Sequence, residues 1–340
     1  MRNLIELQKK LIPQAIELME RRYSILRQIS LSQPIGRRSL SNYLNISERV
    51  ARTETEFLKE QGLIDVAVSG MTVTEEGEEL LEKLKDIMVD IMGISNLQER
   101  VKEKLGIKKV IIVPGSCEKN GTLLKDVAKE GAEYFLEILK DGNTVAVTGG
   151  TTMLEFSEHI KVDRKYNETL VIPARGSMGT DVETQSNSIV AKIGKNLHSE
   201  YELLHIPDEL DENAMKTLTQ IPEIKKTLDH IADTDILVFS IGRADVMVER
   251  RNLTEEQKKI ILDNHAVGEA FGHYFDKEGN VVYKLNTVGI DFETYKNIKE
   301  NILIFAGDEK VEAFMAVSEI NKNLVLITDE QSAYKILAHK

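Results

Sequence analysis

A few residues of this chain have the types and spacing that capture of a phosphorylated ligand requires. The densest group is Gly149-Gly150-Thr151-Thr152, within TVAVTGGTTMLEF from Thr144 to Phe156. Val145, Ala146 and Val147 read as a buried strand, the glycines break it, and an amphipathic helix follows. A glycine turn lets backbone N–H groups approach an anion, and the next helix N-terminus carries partial positive charge. Strand, Gly-Gly-Thr-Thr and helix thus make a candidate phosphate cradle, although glycine pairs also end strands for steric reasons alone. Arg175 closes ETLVIPARG, Gln185 opens the helical pattern ETQSNSIVAKIG, and Arg250 stands beside Arg251 in a loop region. Lys310 follows NILIFAGDE at a second strand-glycine-helix junction. Glu269, in HAVGEAFG, suits a sugar hydroxyl better than a phosphate, which it would repel. Two helix N-termini and at least three cations in an otherwise acidic body point to a pocket for a small ligand with one or two phosphates.

The elements that must position these residues begin after Gly106, where strand and helix patterns alternate and predict a parallel sheet covered on both faces. The strand candidates are KVIIVPG from Lys108, TVAVTGG from Thr144, ETLVIPARG from Glu168, YELLHIP from Tyr201, DILVFSIG from Asp235, NILIFAG from Asn301 and NLVLITD from Asn323. Several run into glycine, at Gly115, Gly149, Gly176, Gly242 and Gly307. Ligands of open α/β sheets bind just beyond such strand ends.

In front stands a different module. Residues 4–31 have a helical pattern, with Ile12, Ile16, Met19, Tyr23 and Leu26 on a stripe and Pro13 marking a start or kink. A short helix with Leu40, Tyr43 and Leu44 inward ends near Asn45, and Ser47 caps a second helix closed by Gly62. Val50, Thr53, Phe57 and Leu58 are expected on its buried side. LIDVAV and MTVT around Ser69-Gly70 then read as a hairpin. Two helices, a tight turn and a hairpin describe a winged helix-turn-helix, whose second helix enters the DNA major groove. Arg37, Arg38, Ser47, Arg49 and Arg52 are the candidate DNA contacts. Three-helix modules that bind only protein look similar, but the arginines favour DNA; Arg49 and Arg52 could read bases or touch phosphate only.

Between the two modules, over residues 75–105, Leu80, Leu84, Ile87, Ile91 and Ile94 continue a heptad-like seam, and Gly93 weakens the helix there or ends it. Such a seam suits a second copy of the chain, with packing on the helix 4–31 as the alternative. The expected domains are 1–74 (winged helix-turn-helix), 75–106 (helical linker and oligomer contact) and 107–340 (effector body).

Bulk properties agree with this division. The chain has 340 residues, 41% hydrophobic and 29% charged, with a net charge of −12. Residues 1–70 carry +3, which leaves −15 on the remainder, a basic head on an acidic body. The net acidity argues against unspecific coating of nucleic acid. No apolar run reaches the roughly 20 residues of a membrane helix, and no signal-peptide pattern opens the chain. The single cysteine, Cys117, excludes an internal disulfide and reads as an inert structural thiol; a cytoplasmic setting is expected.

Three stretches carry a family likeness: TVAVTGGTTM at 144–153, AVGEAFGHYFDKEG at 266–279 and FAGDEKVEAFMAVSEINKNLVLITDEQSA at 305–333. With them the body resembles the sugar-binding domain of the SorC family of bacterial transcriptional regulators, and the helix-turn-helix in front matches the family's domain order. The head differs from the short homeodomain-type head of many members by the helix 4–31 and the wing. This combination resembles the branch that represses glycolytic genes and responds to fructose 1,6-bisphosphate. The likeness implies an α/β fold: a winged helix-turn-helix plus a Rossmann-like sheet related to sugar-phosphate isomerases. It also implies one phosphate on Gly149, Gly150, Thr151 and Thr152 with Lys310 adjacent. Arg175 and Gln185 would lie beside the ligand, Arg250 near the other phosphate, and Glu269 on a sugar hydroxyl.

A sugar-phosphate isomerase or deaminase with a fused head is the competing reading. It needs a positioned acid/base pair. Glu269, Asp181, His265 and His273 are candidates, but no motif fixes their roles, and the seven histidines lack metal-ligand spacing. Kinship of fold does not transfer activity. The expectation is a repressor rather than an enzyme. It would bind operator DNA as a homo-oligomer (dimer or tetramer), need no cofactor, have no membrane partner, and be relieved by fructose 1,6-bisphosphate.

Overall fold

The computed structural model describes residues 7–8, 10–115, 123–178, 181–251 and 253–339. Cys117 lies outside them, as does the start of the expected helix 4–31. The described residues divide into two compact units between Glu99 and Arg100.

The first unit runs α1 (Pro13–Ser32), α2 (Arg37–Leu44), α3 (Glu48–Glu60), β1 (Ile64–Ala67), β2 (Gly70–Val73) and α4 (Glu75–Ile91). Pro13 occupies the first turn of α1, where its missing N–H costs nothing. α2 stops at Asn45, which is left-handed at φ +50°. Ser47 opens α3 by accepting a hydrogen bond from Val50 N at 3.2 Å. β1 and β2 form an antiparallel hairpin, and Ile35 pairs with Met71 beside it. Ile25, Leu26, Ile29, Leu40, Leu58, Ile64 and Met71 make one core, so the unit is a winged helix-turn-helix.

Two details differ from expectation. The buried face of α3 is Ala51, Glu54, Thr55 and Leu58, with Thr53 exposed and Val50 and Phe57 only partly covered. The cause is Glu54, which pairs with Arg22 of α1 at 2.8 Å and turns a charged position inward. The heptad seam is taken up within the chain: Met88 and Ile91 of α4 pack with Ile16 of α1, with Met19, Tyr23, Leu84, Ile87 and Met92 around them. α4 therefore belongs to the first unit. Gly93, at φ +76°, separates it from α5 (Ile94–Leu105).

The second unit continues with β3 (Lys109–Val113), α6 (Leu123–Ile138), β4 (Thr144–Val147), α7 (Thr151–Glu158), β5 (Leu170–Pro173), α8 (Ser186–Leu197) and β6 (Glu200–Tyr201). Next come α9 (Glu212–Leu218), α10 (Pro222–Ala232), β7 (Ile236–Phe239), β8 (Gly242–Arg243), α11 (Ala244–Arg250) and α12 (Glu255–Asp263). It closes with β9 (Gly268–Ala270), β10 (His273–Phe275), β11 (Val281–Lys284), α13 (Phe292–Asn297), β12 (Glu300–Ile304), α14 (Val311–Val317), β13 (Leu324–Asp329) and α15 (Glu330–Ala338).

All seven strand candidates enter one parallel sheet in the order β3-β13-β12-β7-β4-β5-β6. Of YELLHIP only Tyr201 enters the sheet, in the two-residue edge strand Glu200–Tyr201. Successive strand residues point to opposite faces. Val145, Val147, Val238 and Ile304 share one core with Phe135, Phe156 and Ile193 of the helices. On β7 the alternate residue Phe239 packs against Phe271 in a tilted arrangement and against Tyr295 edge-on, at ring separations of 5.3 and 5.5 Å. A second, antiparallel sheet, β11-β10-β9-β8, has no counterpart in the sequence reading. It carries Glu269 on β9.

Candidate functional site

The parallel sheet has a reversal point. From β4 the chain steps outward through β5 and β6, then returns to β7 on the other side of β4 and proceeds through β12 and β13. At such a point the loops after two neighbouring strands diverge and leave a crevice beyond their carboxyl ends. A cavity of about 440 Å³ lies there. Its wall includes Gly149, Gly150, Thr151, Thr152, Arg175, Gln185, Arg250, Glu269 and Lys310, every effector candidate read from the sequence.

The Gly149-Gly150 turn joins strand to helix as expected. Gly150 precedes α7 at φ +113°, and no side chain caps the helix. Its N–H donates to Thr184 O at 2.8 Å. A Cβ on Gly149 would stand 2.8 Å from that same oxygen, so the loop carrying Gln185 can close on the turn only because Gly149 is glycine. Thr152 is buried and Thr151 exposed. The second junction differs from expectation. Gly307 N donates to the buried carboxylate of Asp329 at 2.8 Å, and a 3-10 turn, Asp308–Lys310, precedes α14. The backbone there faces a carboxylate of its own chain, and Lys310 alone from this junction lines the cavity. Arg250 is the last residue of α11 rather than part of a loop, and it is exposed.

Behind the cradle lies a buried ion network that includes Asp208, a residue outside the sequence-derived set. Arg175 donates to both Asp208 oxygens, Nε to Oδ1 at 2.9 Å and Nη2 to Oδ2 at 2.8 Å, and through Nη1 to Glu269 Oε1 at 3.2 Å. Arg251 donates to Asp208 Oδ2 and, at 2.8 Å, to Glu269 Oε1, which also accepts from Gly272 N at 2.7 Å. The side chains of Arg251, Asp208 and Glu269 are at most 5% exposed and that of Arg175 11%. Burial pushes the Glu269 carboxyl up, but Arg251 and Arg175 outweigh it and hold the group below its usual range. Burial likewise opposes the charge on Arg251, and Glu269 and Asp208 overcome it. Two guanidinium groups and two carboxylates leave this quartet neutral. The lining cations outside this quartet are Arg250 and Lys310.

In the first unit Arg37, Arg38, Ser47, Arg49 and Arg52 are all exposed on α2, α3 and the turn between them. Arg52 pairs with Glu56 at 2.9 Å, and Arg38 approaches Glu48 at 4.0 Å. The Ser47 hydroxyl serves as the helix cap.

Of the four acid/base candidates, the two histidines stand apart from the cavity. Neither His265 nor His273 lines it. His273 is buried, with Nδ1 3.0 Å from Phe271 O and its ring 4.2 Å from Phe292. Asp181 does line the cavity, but Glu269 and Asp208 are held by two arginines. Among the described residues no helix is long and apolar enough to cross a membrane.

A winged helix-turn-helix followed by an α/β unit with a phosphate-suited pocket at its reversal point defines a ligand-responsive DNA-binding regulator rather than an enzyme. Comparison with known proteins agrees. The family model described as "Putative sugar-binding domain" matches residues 89–338, and "CggR N-terminal DNA binding domain" matches 18–88. The chain is 42% identical to the central glycolytic genes regulator of Bacillus subtilis over 337 residues, 99% of each chain. It is 40% identical to the protein of that name from Priestia megaterium over 338 residues, again 99% of each. Among solved structures, the "putative SorC family transcriptional regulator" from Enterococcus faecalis is 32% identical. That match has a TM-score of 0.67 and covers 71% of this chain and 99% of the other. The chain belongs to the SorC family of sugar-binding transcriptional regulators.

Proposed function

We propose that the chain is a cytoplasmic repressor of glycolytic genes, and that fructose 1,6-bisphosphate in the cavity releases a homo-oligomer from its operator. The observation that carries this reading is the convergence of all nine effector candidates on one cavity at the reversal point of the sheet. The uncapped α7 N-terminus, with Gly149 to Thr152, suits one phosphate, with Lys310 beside it. Arg250 at the exposed rim suits the second, and Arg175, Gln185 and Glu269 flank the sugar between them. The glycolytic assignment draws on the names of two relatives that share 42% and 40% of their residues with this chain. Arg37, Arg38, Arg49 and Arg52 are the cations placed to meet DNA.

Titrating operator DNA with the full chain, with and without fructose 1,6-bisphosphate, tests the proposal. A coupling of about 1–3 kcal/mol would weaken operator binding roughly 5- to 150-fold. Identical affinity and stoichiometry in the two titrations would overturn it.

A further inference from the structure

Beyond the neutral quartet, the cavity is lined by two cations, Arg250 and Lys310, and by two more carboxylates, Asp181 and Glu249. The charged side chains of the wall therefore cancel, although a sugar bisphosphate brings two phosphates of about −1.5 to −2 each. A wall shaped only for tight capture of an anion would not carry the last two carboxylates, so each calls for a role.

Asp181 has one within its own loop, where it accepts hydrogen bonds from Glu183 N at 3.2 Å and from Thr184 Oγ1 at 3.1 Å. Thr184 O in turn accepts from Gly150 N at 2.8 Å, so Asp181 helps to hold the loop that closes on the cradle. Glu249 is placed differently. It precedes Arg250 at the end of α11, both residues line the cavity, and its side chain is 68% exposed. Lys258 of α12 donates to it at 3.0 Å, but the same ammonium also pairs with Glu255 at 3.2 Å. One positive charge thus faces two carboxylates, and Lys258 does not itself line the cavity. Exposed pairs of this kind add little to stability. What Glu249 does change is the potential at Arg250, where a phosphate would meet a like charge on the neighbouring residue. A cavity of about 440 Å³ is on the order of one Debye length across, about 8 Å at physiological ionic strength, so that repulsion reaches the ligand.

We infer that Glu249 attenuates binding: it keeps the affinity of the cavity for a bisphosphate below what Arg250 and Lys310 alone would give, and Lys258 limits that penalty. The inference rests on the sugar-phosphate reading above. A sensor reports concentration only where its ligand is partly bound, and a rim carboxylate moves that range upward without disturbing the cradle.

Calorimetry on the full chain, on Glu249→Gln, on Lys258→Met and on the double variant tests this with fructose 1,6-bisphosphate and fructose 6-phosphate. Glu249→Gln should tighten bisphosphate binding about two- to five-fold and monophosphate binding by less, because the repulsion scales with ligand charge. Lys258→Met should weaken bisphosphate binding by a similar factor alone, and by much less beside Glu249→Gln. At about 1 M potassium chloride, where the Debye length is about 3 Å, the gain from Glu249→Gln should vanish. A merely structural role for Glu249 would give a loss rather than a salt-sensitive gain. Unchanged or weaker bisphosphate binding by Glu249→Gln, a gain that survives high salt, or an equal loss from Lys258→Met in both backgrounds overturns this inference and leaves the sugar-phosphate reading standing. An unsubstituted chain that binds neither sugar overturns that reading and this inference with it.

Discussion

Beyond the bidentate grip of Arg175 on Asp208, Asp208 and Glu269 together accept three further hydrogen bonds from Arg175 and Arg251, all with little exposure to water. Such a set is stable only while it is complete, since removing one partner leaves an uncompensated buried charge at a cost of about 3–5 kcal/mol. Asp208→Asn leaves two guanidinium groups facing one carboxylate. Urea unfolding should show that loss in the transition of the second unit, and a variant as stable as the parent would contradict the network. The depressed Glu269 carboxyl also ties stability to pH. A group whose folded pKa lies below its unfolded value of about 4.3 stabilises fully above that value, and the contribution drains away as pH falls through the lower, folded one. Stability measured from pH 7 downward should therefore hold to about pH 5 and then fall. Glu269→Gln should start lower and fall less steeply over the same range, and a parallel acid limb in the variant would sink the assignment.

At the scale of elements, the cradle depends on how closely the loop before α8 approaches the turn before α7. Gly149→Ala places a Cβ 2.8 Å from Thr184 O and 3.2 Å from Ser186 N, both backbone atoms. The loop must retreat, and Gln185 with it. Sugar-phosphate binding measured by calorimetry should weaken at least about ten-fold, the loss expected when positioned groups are displaced by an ångström, while operator binding by the first unit is retained. Unchanged ligand affinity would mean that the turn and the loop do not act together. The parallel sheet was readable from sequence because each central strand is covered on both faces, so TVAV, LVIP, ILVF, ENILI and LVLITD are dense apolar runs. The antiparallel sheet was not, because Gly242–Arg243, Gly268–Ala270 and His273–Phe275 are two or three residues long and hold glycine or polar side chains. Asp208 was missed for a related reason. It lies in the acidic stretch HIPDELDEN, where nothing local separates a buried carboxylate from its exposed neighbours. Arg251 left one signal, the Arg250-Arg251 pair in an acidic body, but which arginine turns inward is decided by where α11 ends. On α3 the apolar pattern placed the buried face about one residue off, since Glu54 is internal by virtue of partners far away in the sequence, Arg22 at 2.8 Å and Arg21 at 3.6 Å.

At the scale of the whole molecule, the chain joins a head with net charge +3 over residues 1–70 to a remainder at −15. That asymmetry separates the two binding chemistries: the first unit attracts DNA phosphate, and the proposed sugar phosphate would have to be captured by local geometry inside a domain whose net charge repels it. Domain order, charge and the nine effector candidates were all readable in the sequence, whereas the use of the α4 seam within the chain was not, because α1 offers an apolar stripe of the same period as a second copy would. A ligand with equal affinity for operator-bound and free protein would shift nothing, so the proposed release requires the sugar phosphate to bind the two forms unequally. Linkage makes that inequality reciprocal: if fructose 1,6-bisphosphate weakens operator affinity by some factor, saturating operator DNA must weaken fructose 1,6-bisphosphate affinity by the same factor. Both sides of the cycle are accessible with the full chain, one by titrating DNA at saturating ligand and the other by titrating ligand at saturating DNA. We expect equal factors within error, in the range of about 5 to 150. A ligand that binds with the same affinity in the presence and absence of operator would show that the pocket and the head are independent sites on one chain, and the repressor would need a different release signal.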